Sequence, residues 1–303
     1  MPSGLLAHAA PLAPPTVFRV LSAWTLDPSV LVPIFVVAWL YLLAVRKVAR
    51  RFPRNPWPRS RTGWFAGGVA ALLVALASPM DAYAEVLLWD HMVQHVLLVF
   101  AAAPMLVASA PVTLTLRALS PSGRPRRAIQ RAVHSRPVRI LTFPLVAWVL
   151  FAATMVATHF SPLYEAALEH GWVHGLEHLL FLGSGLLFWY PVIAVDPTSW
   201  RMPYPLRMLY VILAGPVNTF IALAIYSSSS ILYPYYASLQ RPWGPSPLSD
   251  QQFAGAIMWV VGDIALMIAV ILVAVGWMHQ DQIEAARIDR RLDEEEARLR
   301  TEG

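Results

Sequence analysis

The 303-residue chain has no cysteine. That excludes disulfides, thiolate metal transfer through C-x-x-C, covalent haem attachment through C-x-x-C-H and a cysteine nucleophile. A bound metal would have to be held by imidazole, carboxylate or thioether. Charge is also scarce: 14% of residues are Asp, Glu, Lys or Arg, against 57% hydrophobic and a mean hydropathy of +0.53. So few charges cannot cover a soluble domain, and the composition is that of an integral membrane protein. Residues 1 to 27 lack a basic n-region and are interrupted by Pro11, Pro14 and Pro15, so they read as an exported tail and not as a cleaved signal peptide.

Runs long enough to cross about 30 Å of hydrocarbon at roughly 1.5 Å per residue occur near 28 to 46, 63 to 81, 88 to 110, 138 to 159, 172 to 194, 206 to 227 and 252 to 277. Pro-rich or charged connectors such as Arg51-Phe52-Pro53-Arg54-Asn55-Pro56-Trp57-Pro58 separate them, since proline cannot continue a helix. The expected fold is an all-α, seven-transmembrane-helix bundle. It divides into the tail 1–27, a membrane domain 28–278 and a charged cytoplasmic C-terminal helix 279–303.

Orientation follows from Lys and Arg. Residues 46 to 61 and 111 to 139 carry seven each, 195 to 207 two, and the tail after Trp277 five, leaving only Arg19 and Arg241 for the other side. Strict alternation of basic and non-basic segments places the N-terminus outside and the C-terminus in the cytoplasm of a bacterial plasma membrane. The pI of about 9.7 is thereby explained as an orientation signal, helped by anionic lipid, with no nucleic-acid partner.

Six of the nine histidines, His91, His95, His159, His170, His174 and His178, fall at span ends that this topology puts on one side. His91 and His95 stand at i and i+4, on one helix face about 6 Å apart, so two nitrogens can reach one ion while Met92 points elsewhere. His170, His174 and His178 repeat the spacing, with Glu177 beside the last; His159 closes span four, a loop of about a dozen residues before that ladder. A single boundary histidine is ordinarily an interfacial polar group. Repeated pairs at one depth point to a shared metal site, because imidazole in hydrocarbon is costly without a partner. His91, His95, His174 and His178 are the expected ligands, with His159, His170, Met92 and Glu177 as entry or supporting groups. Imidazole suits copper and zinc, and the thioethers of Met80, Met92, Met155 and Met258 favour copper, as Cu(I), although Met is also common core filler.

Other readings compete. His174-x-x-Glu177-His178 matches the H-x-x-E-H pattern of inverted zinc peptidases, which makes an intramembrane zinc hydrolase the enzymatic alternative. An ion also held by His91 and His95 would lack the open position catalysis needs. A bis-histidine haem, a metal-free assembly scaffold, and a metal-free receptor or channel complete the set.

Three blocks then carry a resemblance: Asp90-His91-Met92-Val93-Gln94-His95 followed by Ala103-Pro104; His174-Gly175-Leu176-Glu177-His178 leading to Phe188-Trp189-Tyr190-Pro191; and Asp250-Gln251-Gln252-Phe253-Ala254-Gly255 leading to Met258-Trp259. In order and spacing, from about residue 30 to 290, they resemble the CtaG-type assembly factors of bacterial caa-type cytochrome c oxidase, in the polytopic membrane form. The resemblance implies a non-enzymatic plasma-membrane protein that delivers or retains copper for the oxidase, whose subunits would be its partners.

Asp263 and Asn218 are further intramembrane polar residues, readable as an ion relay or as a hydrogen-bonded helix contact beside Gly262. Gly215-Pro216 should loosen a turn. Trp57, Trp64, Trp89, Trp172, Trp200, Trp243 and Trp277 read as aromatic belts. The tail pairs Glu294 with Arg298 and Glu296 with Arg300 on a solvated helix. The aromatic, Pro-rich loop 233 to 247 is a further partner surface.

Overall fold

The computed structural model describes residues 14–302 apart from 17, 19–21 and 240. The expected exported tail, Pro11 and Arg19 included, therefore lies largely outside the described residues, as do the side chains of Glu296 and Arg300.

Among the described residues the architecture is entirely helical: α1 (Pro28–Arg51), α2 (Arg59–Ala77), α3 (Pro79–Ala84), α4 (Leu88–Val96), a π-helical turn (Leu97–Ala102), α5 (Ala103–Ala108), α6 (Pro111–Ala118), α7 (Arg124–Val133), α8 (Arg136–Leu141), α9 (Pro144–Phe160), α10 (Pro162–Glu169), α11 (Gly171–Ile193), α12 (Tyr204–Ile212), α13 (Ala214–Ser227), α14 (Pro234–Ser238) and α15 (Pro247–Glu302). Proline in the first turn opens many of them, where its missing N–H costs nothing. The side chains of Asp27, Ser78 and Ser161 cap α1, α3 and α10.

Among the described residues, six helices are long and apolar enough to cross a membrane, and a seventh crossing arises if α9 and α10, bent by 68° at their junction, count as one span. The expected fourth span is thus the bent one. Pro162 explains the break: its ring and absent N–H prevent α9 from continuing. The connector expected as a loop before the histidine ladder is in fact α10, folded across the end of the bundle.

Two other prolines reshape spans. Pro104 cannot donate to Phe100, and the helix absorbs the lost bond in the π-helical turn, where Ala103 N–H reaches back to the carbonyl of Leu98. Pro216 cannot donate to Ile212, and α12 stops at that residue before α13 begins.

Helix direction gathers the basic segments at one end. Arg51 donates to the Leu119 carbonyl at 3.0 Å, Arg117 to that of Asn55 at 2.7 Å, and the Trp200 indole to that of Arg139 at 2.8 Å. Trp57 departs from the belt expectation: it is 6% exposed, donates to Tyr41 Oη at 3.1 Å and lies beneath the guanidinium groups of Arg61 and Arg117. Histidine-bearing helix ends form the opposite end.

There α15 is the axis. It packs along α13, and Gly255 makes this possible: a Cβ there would stand 2.7 Å from Tyr226 N and 2.8 Å from the Ala222 carbonyl oxygen. Asp263 accepts from Asn218 Nδ2 at 3.0 Å and Thr219 Oγ1 at 2.7 Å. The pair thus makes an interhelical contact beside Gly262. Past Gly276, α15 runs on without interruption into its charged, exposed tail.

Candidate metal centre

The helical repeat alone puts His91 and His95 on one face of α4, one turn apart. Their Nε2 atoms stand 2.8 Å from each other, and the carboxylate of Glu177 on α11 enters between the helices, Oε2 lying 3.5 Å from His91 Nε2 and 3.8 Å from His95 Nε2. All three residues are buried, His91 and Glu177 at 0% and His95 at 3% exposure. Their three ligand-type atoms lie within 4.8 Å of one another.

The surrounding hydrogen bonds settle which nitrogens offer lone pairs. Tyr236 Oη donates to the Ala84 carbonyl at 2.9 Å and stands 3.3 Å from His91 Nδ1. With its proton committed, the phenol oxygen accepts from His91 Nδ1–H, which leaves Nε2 as a lone pair facing Glu177 and His95. His159 Nδ1 lies 2.7 Å from the Met155 carbonyl, an acceptor only, so its lone pair is likewise on Nε2.

Several buried polar atoms around this group make no hydrogen bond: His95 Nδ1, His159 Nε2, His174 Nε2, His178 Nε2 and both oxygens of Glu177. Native interiors rarely tolerate that, since each unsatisfied group costs about 1–3 kcal/mol. Such a concentration of nitrogen and oxygen donors fits a metal cation, which would satisfy several at once.

The expected residues are therefore brought together unequally. Where the sequence favours His174 and His178 as partners of His91 and His95, the carboxylate between them is the group that reaches in. The two imidazoles flank it, with ring centroids 5.2 Å from His91 to His174 and 6.3 Å from His95 to His178. His159 is 4% exposed, its ring 6.3 Å from that of His95. His170 stays apart at the exposed start of α11, its Nδ1 3.3 Å from the Ala166 carbonyl. Met92, expected to point away, is 1% exposed and lines a small cavity just beneath the group.

A model of the cytochrome c oxidase caa3 assembly factor family matches residues 39–280, which take in every element of this centre. The chain belongs to this family. Among curated proteins, an uncharacterised protein of Mycobacterium bovis and one of Mycobacterium tuberculosis are each 32% identical over 290 residues, covering 94% of this chain and 44% of their own length. An uncharacterised protein of Mycobacterium leprae is 29% identical over 286 residues, 92% of this chain and 43% of its own. The chain thus spans less than half the length of these relatives. No solved structure matches it.

Several residues that build this centre carried no site assignment from the sequence. Asp250 accepts the N–H groups of Leu88 at 3.2 Å and Trp89 at 3.0 Å, capping α4 from a distant helix, and pairs with Arg241 at 3.2 Å. Gln251 accepts from Leu232 N at 2.8 Å and donates to the Ser230 carbonyl at 3.2 Å, pinning the loop that leads to α14 and Tyr236. Tyr233 donates to the His159 carbonyl at 3.2 Å. Tyr164, delivered by the bend into α10, is 1% exposed with its ring 5.2 Å from that of His91. The Asp250-Gln251 block was visible in the sequence, but its partners are up to 162 positions away, beyond any local pattern.

Proposed function

We propose that this assembly factor binds copper at the His91/His95/Glu177 group and delivers or retains it for the copper centres of cytochrome c oxidase. The observation that carries the reading is the convergence of two imidazole nitrogens and a buried carboxylate, ringed by further unpaired imidazole nitrogens. The buried carboxylate of Glu177, which makes no hydrogen bond and faces two imidazole nitrogens, is the group that a cation at this position would satisfy.

Zinc is the alternative ion, since two imidazoles and a carboxylate suit it too, and the cytochrome c oxidase assembly family to which the chain belongs is what favours copper. We read the protein as a carrier and not a hydrolase: Glu177 lies against His91 and His95, so it is placed as a ligand, whereas the H-x-x-E-H chemistry needs it free as a base beside a zinc on His174 and His178. In the same reading α9 crosses as the fourth span, with α10 bent away from it by 68° at the histidine end, giving seven. Gathering of the arginines at one end supports a bacterial plasma-membrane topology with the histidine end outside and the tail of α15 in the cytoplasm. Oxidase subunits under assembly would be the recipients.

The test is to purify the protein in detergent, load it with copper or zinc under reducing and oxidising conditions, and measure bound metal beside a His91→Ala/His178→Ala double variant. Preferential copper binding that falls in the variant is expected. No specific metal in either protein would overturn copper carriage and leave a scaffold role.

A further inference from the structure

Beneath the His91/His95/Glu177 group, toward the middle of the bundle, lies a small cavity lined by Met92, His95, Met155, His159, Asn218 and Met258 among others. The three methionines are 1%, 4% and 3% exposed and come from α4, α9 and α15, so helices far apart in sequence bring three thioethers to one space. His159 is the independent sign of a ligand. It is 4% exposed, its Nδ1–H is spent on the Met155 carbonyl, and its Nε2 lone pair has no partner. Core methionines need no such neighbour; an unpaired imidazole nitrogen among them does.

We propose that this cavity is a second metal position, selective for Cu(I), with His159 Nε2 and the thioethers of Met92, Met155 and Met258 as its donors. It rests on the copper reading above and adds a separate site to it. All four donors are neutral. A divalent ion would therefore carry its full charge into the apolar bundle, at about four times the Born cost of a monovalent one. Thioethers add selectivity for the soft monovalent ion over zinc.

His95 connects the two positions. Its Nε2 belongs to the upper group, while its ring lines the cavity and stacks on Phe181 at 3.8 Å. An ion moving between them exchanges the Glu177 oxygen and His91 nitrogen for sulfur and the His159 nitrogen. This is ligand exchange, with no redox change. Asn218 closes the floor, tied by Nδ2 to the Met258 carbonyl at 3.2 Å and to Asp263 at 3.0 Å.

The experiment loads the full detergent-purified chain anaerobically with Cu(I), counts copper per chain, and records the X-ray absorption spectrum. It compares wild type with Met155→Leu/Met258→Leu and with His91→Ala/Glu177→Gln. Leucine keeps the volume of the thioether side chain, so folding should be preserved. Expected are two coppers in wild type with a sulfur shell, one copper without that shell in the Leu variant, and one sulfur-ligated copper in the His91/Glu177 variant. Copper with only nitrogen and oxygen neighbours in wild type, a readout that needs no variant, would overturn the second position and leave the first intact. So would a sulfur shell unchanged by the Leu substitutions. Sulfur-ligated copper with no loss on changing His91 and Glu177 would overturn the first position and keep the second, and no copper in wild type would overturn both.

Discussion

Asp250 accepts the backbone N–H of Trp89 at 3.0 Å across 161 positions of sequence, and so fixes the start of the helix that carries His91 and His95. A carboxylate there does the work of an N-cap that α4 lacks locally, since Leu87 precedes it. Asp250→Ala removes this cap and also strands the buried guanidinium of Arg241. Loss of about 3 kcal/mol is expected, read as a lowered unfolding midpoint in detergent, with weakened metal binding because the two imidazoles lose their register.

Tyr236→Phe tests how His91 is oriented. Removing the phenol oxygen deprives His91 Nδ1–H of its acceptor and frees the ring to rotate or change tautomer. Copper affinity should fall by about 10–100-fold, the usual scale for removing the partner of a metal-bound imidazole, together with a lowered thermal midpoint because the buried Ala84 carbonyl also loses its donor. A titration against a competing chelator reads it directly.

Gly255→Ala tests the close approach of α13 and α15. The new methyl meets backbone atoms of Tyr226 and the Ala222 carbonyl, neither of which can swing aside as a side chain would. The helices must separate, at a cost of about 1–3 kcal/mol. The variant should unfold earlier on heating and expose amides of α13 to hydrogen exchange.

Glu85, on the connector ahead of α4, gives a pH dependence of stability. Burial and, secondarily, the neighbouring Asp81 push its carboxyl up to about 7. The folded state therefore holds this proton more tightly than the unfolded chain does, and stability from this group is present at low pH and declines as pH rises from about 4.5 to 7. Glu85→Gln should remove that decline, so that the difference in unfolding midpoint between variant and wild type grows across this window and levels off above it.

Composition and the spacing of apolar runs were enough to establish a helical membrane protein, because a chain in hydrocarbon must satisfy its backbone within each segment and leaves few alternatives. The i, i+4 histidines were legible for the same local reason: a helix fixes which neighbours share a face. Three blocks of motif were enough to point to the family. Tertiary structure decided what those blocks do. Glu177, beside His178 of the ladder, reaches the His91/His95 face because α11 packs on the π-helical turn and α5 that continue α4, which sets which of its side chains crosses the gap. The segment after His159 was expected as a loop, and only the folded bundle decided that it is a helix that turns across the end and brings Tyr164 to His91. Asp250, Tyr236 and the methionine-lined cavity depend on contacts between helices remote in sequence, which no local period encodes.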